Sequence, residues 1–228
     1  MDNDQNLACR LKQVFLMTLM QALCEFLPPV FFVAGWLFAV DAFIDALYLF
    51  YFGRILFPAV CGVSLYRMGK EIGACRKAAV LCFADVSALV IRFIVHADKI
   101  DHVSYIMYFA AEERMCMYDE YLKGAAAWID LIAGIVHHAA PLLVAYFVCT
   151  SVAAIMKGLD AVKIAKFAQE VWVVYLVTGI LYMIVLFLPS SVFTDWCRLA
   201  IFVASVIYLR LLSKSYRTLD AQKEGEEK

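Results

Sequence analysis

Along the chain, apolar residues run in six long stretches, at about 14–40, 42–66, 78–97, 125–150, 171–189 and 192–212. A helix crossing the hydrocarbon core needs about 20 mostly apolar residues. These stretches are long enough, and they are apolar on all sides rather than along one stripe. That pattern predicts helices facing lipid, whose backbone groups are satisfied within each helix. The first stretch is interrupted by Pro28-Pro29. Proline removes a backbone donor and clashes with the preceding turn, so a kink or break is expected there. Two readings follow: one kinked span, or an interfacial helix up to Leu27 with a span from near Val30.

The polar intervals sharpen the picture. The one sizeable loop, 98–124, mixes Tyr105, Ile106, Met107, Tyr108 and Phe109 with Glu112, Glu113 and Arg114. Aromatics interleaved with charges suit an external helix lying on the membrane interface. The acidic residues Asp98, Asp101, Glu112, Glu113, Asp119 and Glu120 suit a solvated cap, with a cation-gathering mouth as the sharper reading. The end of the chain, 213–228, is read as a polar cytoplasmic tail that lacks fixed structure from Gln222 to Lys228.

Composition agrees with the pattern. Of 228 residues, 64% are hydrophobic and 18% charged, against about 45–50% and about 25% in soluble domains. A soluble globular domain and a disordered chain are excluded. With 20 Lys+Arg against 21 Asp+Glu, there is no basic field for nucleic acid. The apolar stretch behind Arg10 and Lys12 is too long for a cleaved signal peptide and is read as a retained span.

Basic residues test orientation independently. With the N-terminus in the cytoplasm, the inside segments hold Arg10, Lys12, Arg67, Lys70, Arg76, Lys77, Lys157, Lys163, Lys166, Arg210, Lys214, Arg217, Lys223 and Lys228. The outside segments hold only Lys99, Arg114 and Lys123. This asymmetry predicts six spans with both termini cytoplasmic, and it puts Trp36, Trp128 and Trp196 at the outer interface. The expected class is an all-α integral membrane protein of about six transmembrane helices, in a plasma (inner) membrane. Its partner is the lipid bilayer, with protein partners or a homo-oligomer compatible and no nucleic acid.

The eight cysteines form no C-x-x-C pair, which leaves zinc-ribbon and thiol-redox readings unsupported. The sequence contains no G-x-S-x-G, H-E-x-x-H or phosphate-loop motif. No cofactor is predicted, and catalysis is the less favoured class.

Chemistry is instead carried by ionisable residues within the spans, which are costly in lipid and usually face protein or water. Glu25 and Arg54 fall at similar depth and are expected to pair. Arg92 and Asp130 each lie five residues from the outer end of their spans and are also expected to pair. Asp85, Arg92 and His96 share one helix face, and Asp130 shares a face with His137 by the same spacing of seven. Glu25, Arg54, Asp85, Arg92, Asp130 and His137 are therefore the candidate transport or structural ion-pair residues. His96, His137 and His138 are weak candidates for haem or a metal, since their depths mismatch and adjacent residues point about 100° apart.

Three functions compete: a small transporter, channel or membrane subunit of a transport complex; a structural or accessory subunit; and, least supported, a haem-binding or other membrane-embedded enzyme.

Overall fold

The computed structural model describes residues 2–28, 41–97, 124–187 and 192–226. Every element among them is a helix: α1 (Asp2–Phe26), α2 (Asp41–Met68), α3 (Gly73–Ala97), α4 (Ala125–Gly158), α5 (Val162–Leu186) and α6 (Val192–Glu226). All six are long and apolar enough to cross a membrane. The protein is a polytopic membrane protein with six such helices among the described residues.

The helices form a closed ring. Each packs against its neighbours in sequence, and α6 returns to pack against α1. Side chains give the directions. Arg10, near the start of α1, donates to the Arg67 carbonyl at the end of α2 and lies 3.7 Å from Glu71. Arg92, near the end of α3, meets Asp130 at the start of α4. On α1 and α6, Phe15 stacks against Tyr216 while Phe26 stacks against Phe202, so these helices also run antiparallel. The start of α1 and the end of α6 thus lie at the same end of the bundle. This is the end that carries the α2–α3 and α4–α5 turns with Arg67, Lys70, Arg76, Lys77, Lys157, Lys163 and Lys166.

The turns are short because their residues allow it. Gly69 sits against the Arg76 backbone, with no room for a Cβ. Asp160 takes a positive φ of 53° in the α4–α5 turn, a conformation that Asp tolerates better than most residues.

The core is mostly apolar, and so is the outer surface, which departs from the soluble pattern. Leu49, Phe52, Val80, Ile94, Ile132 and Ile184 are exposed around the outside, while Arg92, His96 and Asp130 are each only 1% exposed. The basic half of the bundle is filled by an apolar core rich in small residues, among them Ala78, Ala79, Ala145, Ala165 and Ala168. With no hydrophobic drive between helices in lipid, association depends on such close packing. Gly179 shows the tightness: any Cβ there would collide with Leu142. A smaller cluster of Tyr182, Val185, Leu186, Cys197 and Ile201 closes the other half.

The helices depart from the apolar stretches that announced them. Among the described residues the first membrane-length segment is Leu7–Phe26, which begins before the expected limit at 14, and residues 29–40 of the expected stretch lie outside the described residues. Arg10 and Lys12 mask its start, yet Leu7, Ala8, Leu11 and Val14 pack into the core. It stops just before Pro28-Pro29, where the missing donor ends the ladder. Helices α4 and α5 meet in a turn at 159–161, well beyond the apolar limits at 150 and 171. Helix α6 continues to Glu226, through most of the stretch expected to be an unstructured tail. A helix satisfies its own backbone bonds in water as in lipid, so hydropathy marks the membrane boundary and not the helix end. Most of the proposed external helix, 98–123, lies outside the described residues, as does Trp36.

Candidate functional site

Two buried polar clusters sit between α3 and α4, the most extensively packed pair. Each contains one aspartate, one histidine and one arginine.

The outer cluster is built around a carboxylate. Asp130 Oδ1 accepts from Arg92 Nε and from His96 Nε2, both at 3.0 Å. Arg92 and His96 stand four residues apart on α3, one turn of helix, so both can converge on one oxygen. The expected Arg92–Asp130 pair is present, with His96 as a second donor.

The inner cluster is built around an imidazole. His137 Nδ1 lies 2.5 Å from Asp85 Oδ1, and His137 Nε2 lies 3.2 Å from Arg54 Nη2. A guanidinium can only donate, so Nε2 must present its lone pair. His137 is therefore neutral, with its proton on Nδ1 and donated to Asp85. The result is a chain running Arg54 to His137 to Asp85 across α2, α4 and α3.

Register explains the two layers. Asp85 precedes Arg92 by seven residues, and His137 follows Asp130 by seven. In an antiparallel pair, the register that joins Arg92 to Asp130 also joins residues 85 and 137, about 10 Å further along the helices. Tyr51 supports this region from α2, its hydroxyl donating to the Leu89 carbonyl at 3.5 Å.

The inner cluster borders an internal cavity of about 80 Å³ to which all six helices contribute. Thr18, Gln21, Ala22 and Glu25 present one face of α1. Arg54, Pro58 and Cys61 come from α2, Cys82 and Asp85 from α3, and His137, His138 and Pro141 from α4. Tyr175, Gly179 and Tyr182 line it from α5, and Ser205 and Tyr208 from α6. The volume is enough for several water molecules.

The two prolines have a specific consequence. Proline lacks the N–H that would bond the carbonyl four residues earlier. Pro58 withholds that bond from the carbonyl of Arg54, and Pro141 from that of His137. The two residues that bond each other across the bundle are thus the two whose carbonyls lose their helical donors.

The sequence candidates resolve as follows. Glu25, Arg54, Asp85 and His137 all line the cavity, while Arg92 and Asp130 form the separate outer cluster. Glu25 and Arg54, expected to pair, share the cavity wall, and Arg54 also contacts His137. The Arg54–His137 contact does not follow from the sequence, because nothing in a residue count brings α2 against α4. The weak metal candidates diverge: His96 serves Asp130, His137 serves Asp85, and His138 packs edge-to-face on Tyr182 at 5.9 Å. Among the described residues, no three His, Cys, Asp or Glu side chains are grouped as metal ligands. A comparison with protein-family models, curated proteins and solved structures finds no match.

Proposed function

We propose that this protein is a small membrane transporter or channel, or the membrane subunit of a transport complex, with its pathway through the cavity. The carrying observation is that all six helices bring polar groups to one internal space, including two carboxylates, an arginine and two histidines. Ionisable groups at such depth are expensive, and they mark solute and proton pathways. A bundle needing only rigidity gains nothing from a polar void.

In this reading the outer cluster holds α3 and α4 together, and the inner chain works. His137 accepts a proton at Nε2 only by giving up Arg54, because a protonated imidazole and a guanidinium are both donors. Proton uptake thus frees the arginine, and its return expels the proton. Asp85 stabilises the charged imidazole. By the distribution of basic residues, the end carrying the start of α1 and the end of α6 faces the cytoplasm.

The test is flux in proteoliposomes containing a pH-sensitive dye, under imposed pH and solute gradients. Asp85→Asn and His137→Ala should each abolish flux or its pH dependence. If both variants match the wild type, the reading is wrong. A second measurement follows Cys61, which lines the cavity, and Cys149, which is buried away from it. With each as the sole cysteine, a polar methanethiosulfonate should modify Cys61 faster. Equal rates would contradict a water-filled pathway.

A further inference from the structure

Two thiols meet in the cavity wall. Cys61 on α2 and Cys82 on α3 are buried, free of disulfide bonds and hydrogen-bonded to each other. Among the described cysteines they are the two that line the cavity. The register of the α2–α3 hairpin brings them together. Gly69 rests on the Arg76 backbone, and seven residues back along α2 and seven on along α3 stand Gly62 and Phe83. A Cβ on Gly62 would lie 3.1 Å from the Cys82 Cβ and 3.2 Å from the Phe83 ring, so the helices touch at this level. Cys61 adjoins Gly62, and Cys82 adjoins Phe83. The two cysteines come from different helices, so no C-x-x-C spacing announces the pair.

Two thiols in contact are a ligand set for a soft metal ion. Soft ions select thiolates, and a coordinating thiol is deprotonated by the metal itself. Coordination number and charge then narrow the choice. Among the described residues no group of three His, Cys, Asp or Glu side chains could hold a metal. Structural zinc takes four ligands, and calcium and magnesium take oxygens. What suits the pair is an ion of two-coordinate, linear preference, set between the two sulfurs. The site is buried, where a net charge is costly. A monovalent ion between two thiolates leaves one negative charge, and a divalent ion leaves none. A complex that is neutral by itself needs no counter-charge from the wall. The soft divalent ion that accepts two thiolates in a line is Hg(II).

We infer that Cys61 and Cys82 bind one mercuric ion as a neutral, linear bis-thiolate in the cavity wall. The ion arrives as a complex with two small thiolates. Each protein thiol replaces one of them on the metal and passes its proton to the departing thiolate. Two Hg–S bonds form, two break, and no electron changes hands. Sulfurs at hydrogen-bonding distance need to open only slightly to admit the ion. The site adjoins the inner chain: Cys82 stands three residues before Asp85, and Cys61 seven after Arg54, about one and two helical turns. The inference rests on the transport reading only where the ion is taken as cargo, since the binding stands without it.

The experiment adds mercuric chloride to the full-length protein in phospholipid nanodiscs, in the presence of excess glutathione. Retained metal is read by mass spectrometry of the intact chain. The expected result is one mercury per chain with the loss of two protons. It should hold both for the wild type and for a variant that keeps only Cys61 and Cys82. Cys61→Ala and Cys82→Ala should each weaken binding by about a hundredfold or more, the advantage of two ligands held at one place. Should the two-cysteine variant not fold, the wild type and the two single variants make the same comparison.

Undiminished mercury in either single variant would overturn the site. Retention of Ag(I) but not Hg(II) would also overturn it, since the wall would then favour an anionic complex. A chain isolated from cells with Cys61 and Cys82 already joined in a disulfide would assign the pair to redox chemistry instead. The two proposals fail separately. Tight mercury binding without flux would remove the transport reading and keep the metal site. Flux without mercury binding would do the reverse.

Discussion

The two clusters on α3 and α4 hold the same three residue types and differ in which one stands at the centre. In the outer cluster the aspartate is central and accepts from Arg92 and His96. Both donors point at a fixed negative charge, and all three side chains are almost wholly buried. In the inner cluster the histidine is central, between Arg54 and Asp85. A carboxylate flanked by two donors has one satisfied arrangement. An imidazole flanked by a donor and an acceptor is satisfied when neutral, and on gaining a proton it must release its donor. The first is suited to fastening helices together, and the second to changing state beside a cavity.

The comparison breaks most readily at Arg92. Arg92→Leu leaves Asp130 charged and buried, and should cost about 3–5 kcal/mol. Adding Asp130→Leu should recover much of that loss in a thermal-melt cycle in detergent. Absence of coupling would show that the outer cluster is not a lock. His96→Ala removes one donor to the same carboxylate and should cost about 1.5–3 kcal/mol in that assay. Asp85→Asn keeps an acceptor for His137 and removes only charge. Its stability should change by no more than about 1.5 kcal/mol, the scale of one neutral hydrogen bond, while proteoliposome flux is lost. If Asp85→Asn instead destabilises as much as Arg92→Leu, the two clusters share one role. The smallest effect belongs to the lipid-facing surface: Ile132→Leu, at an exposed position, should shift stability by under about 0.5 kcal/mol.

Much of this arrangement is legible in the amino-acid sequence. Six apolar stretches correspond to six helices. Counting from the ends of one hairpin places Arg92 opposite Asp130, because neighbouring antiparallel helices share a depth scale. That same register, carried seven residues inward, also puts residue 85 opposite 137, so the spacing that marks the outer pair marks the inner one too. The Arg54–His137 contact lies beyond such counting. Helices α2 and α4 are not consecutive, and sequence periodicity says nothing about which distant helices approach. One local sign does exist: Arg54 and His137 each stand four residues before a proline. The helix ends are hidden for another reason. Residues 213–226 continue α6 with mostly polar side chains, while Lys157, Lys163, Lys166 and Glu170 break up the apolar run where α4 ends and α5 begins, although Val152, Met156, Ala165 and Ala168 pack into the core there. The start of α1 is obscured likewise, since Arg10 and Lys12 interrupt an otherwise packed face.

The closed ring has a consequence for how the chain is made. As the ribosome delivers the helices in order, each finds its predecessor already waiting, so five of the six interfaces around the ring can form between successive products of synthesis. Only the α1–α6 seam joins the first helix to the last. The chamber therefore stays unsealed until translation is nearly complete, and its polar wall is enclosed in the final step. The start of α1 and the end of α6 lie on the same side of that seam. A circular permutant that links them and opens the α2–α3 turn would move the seam elsewhere while leaving the finished ring the same.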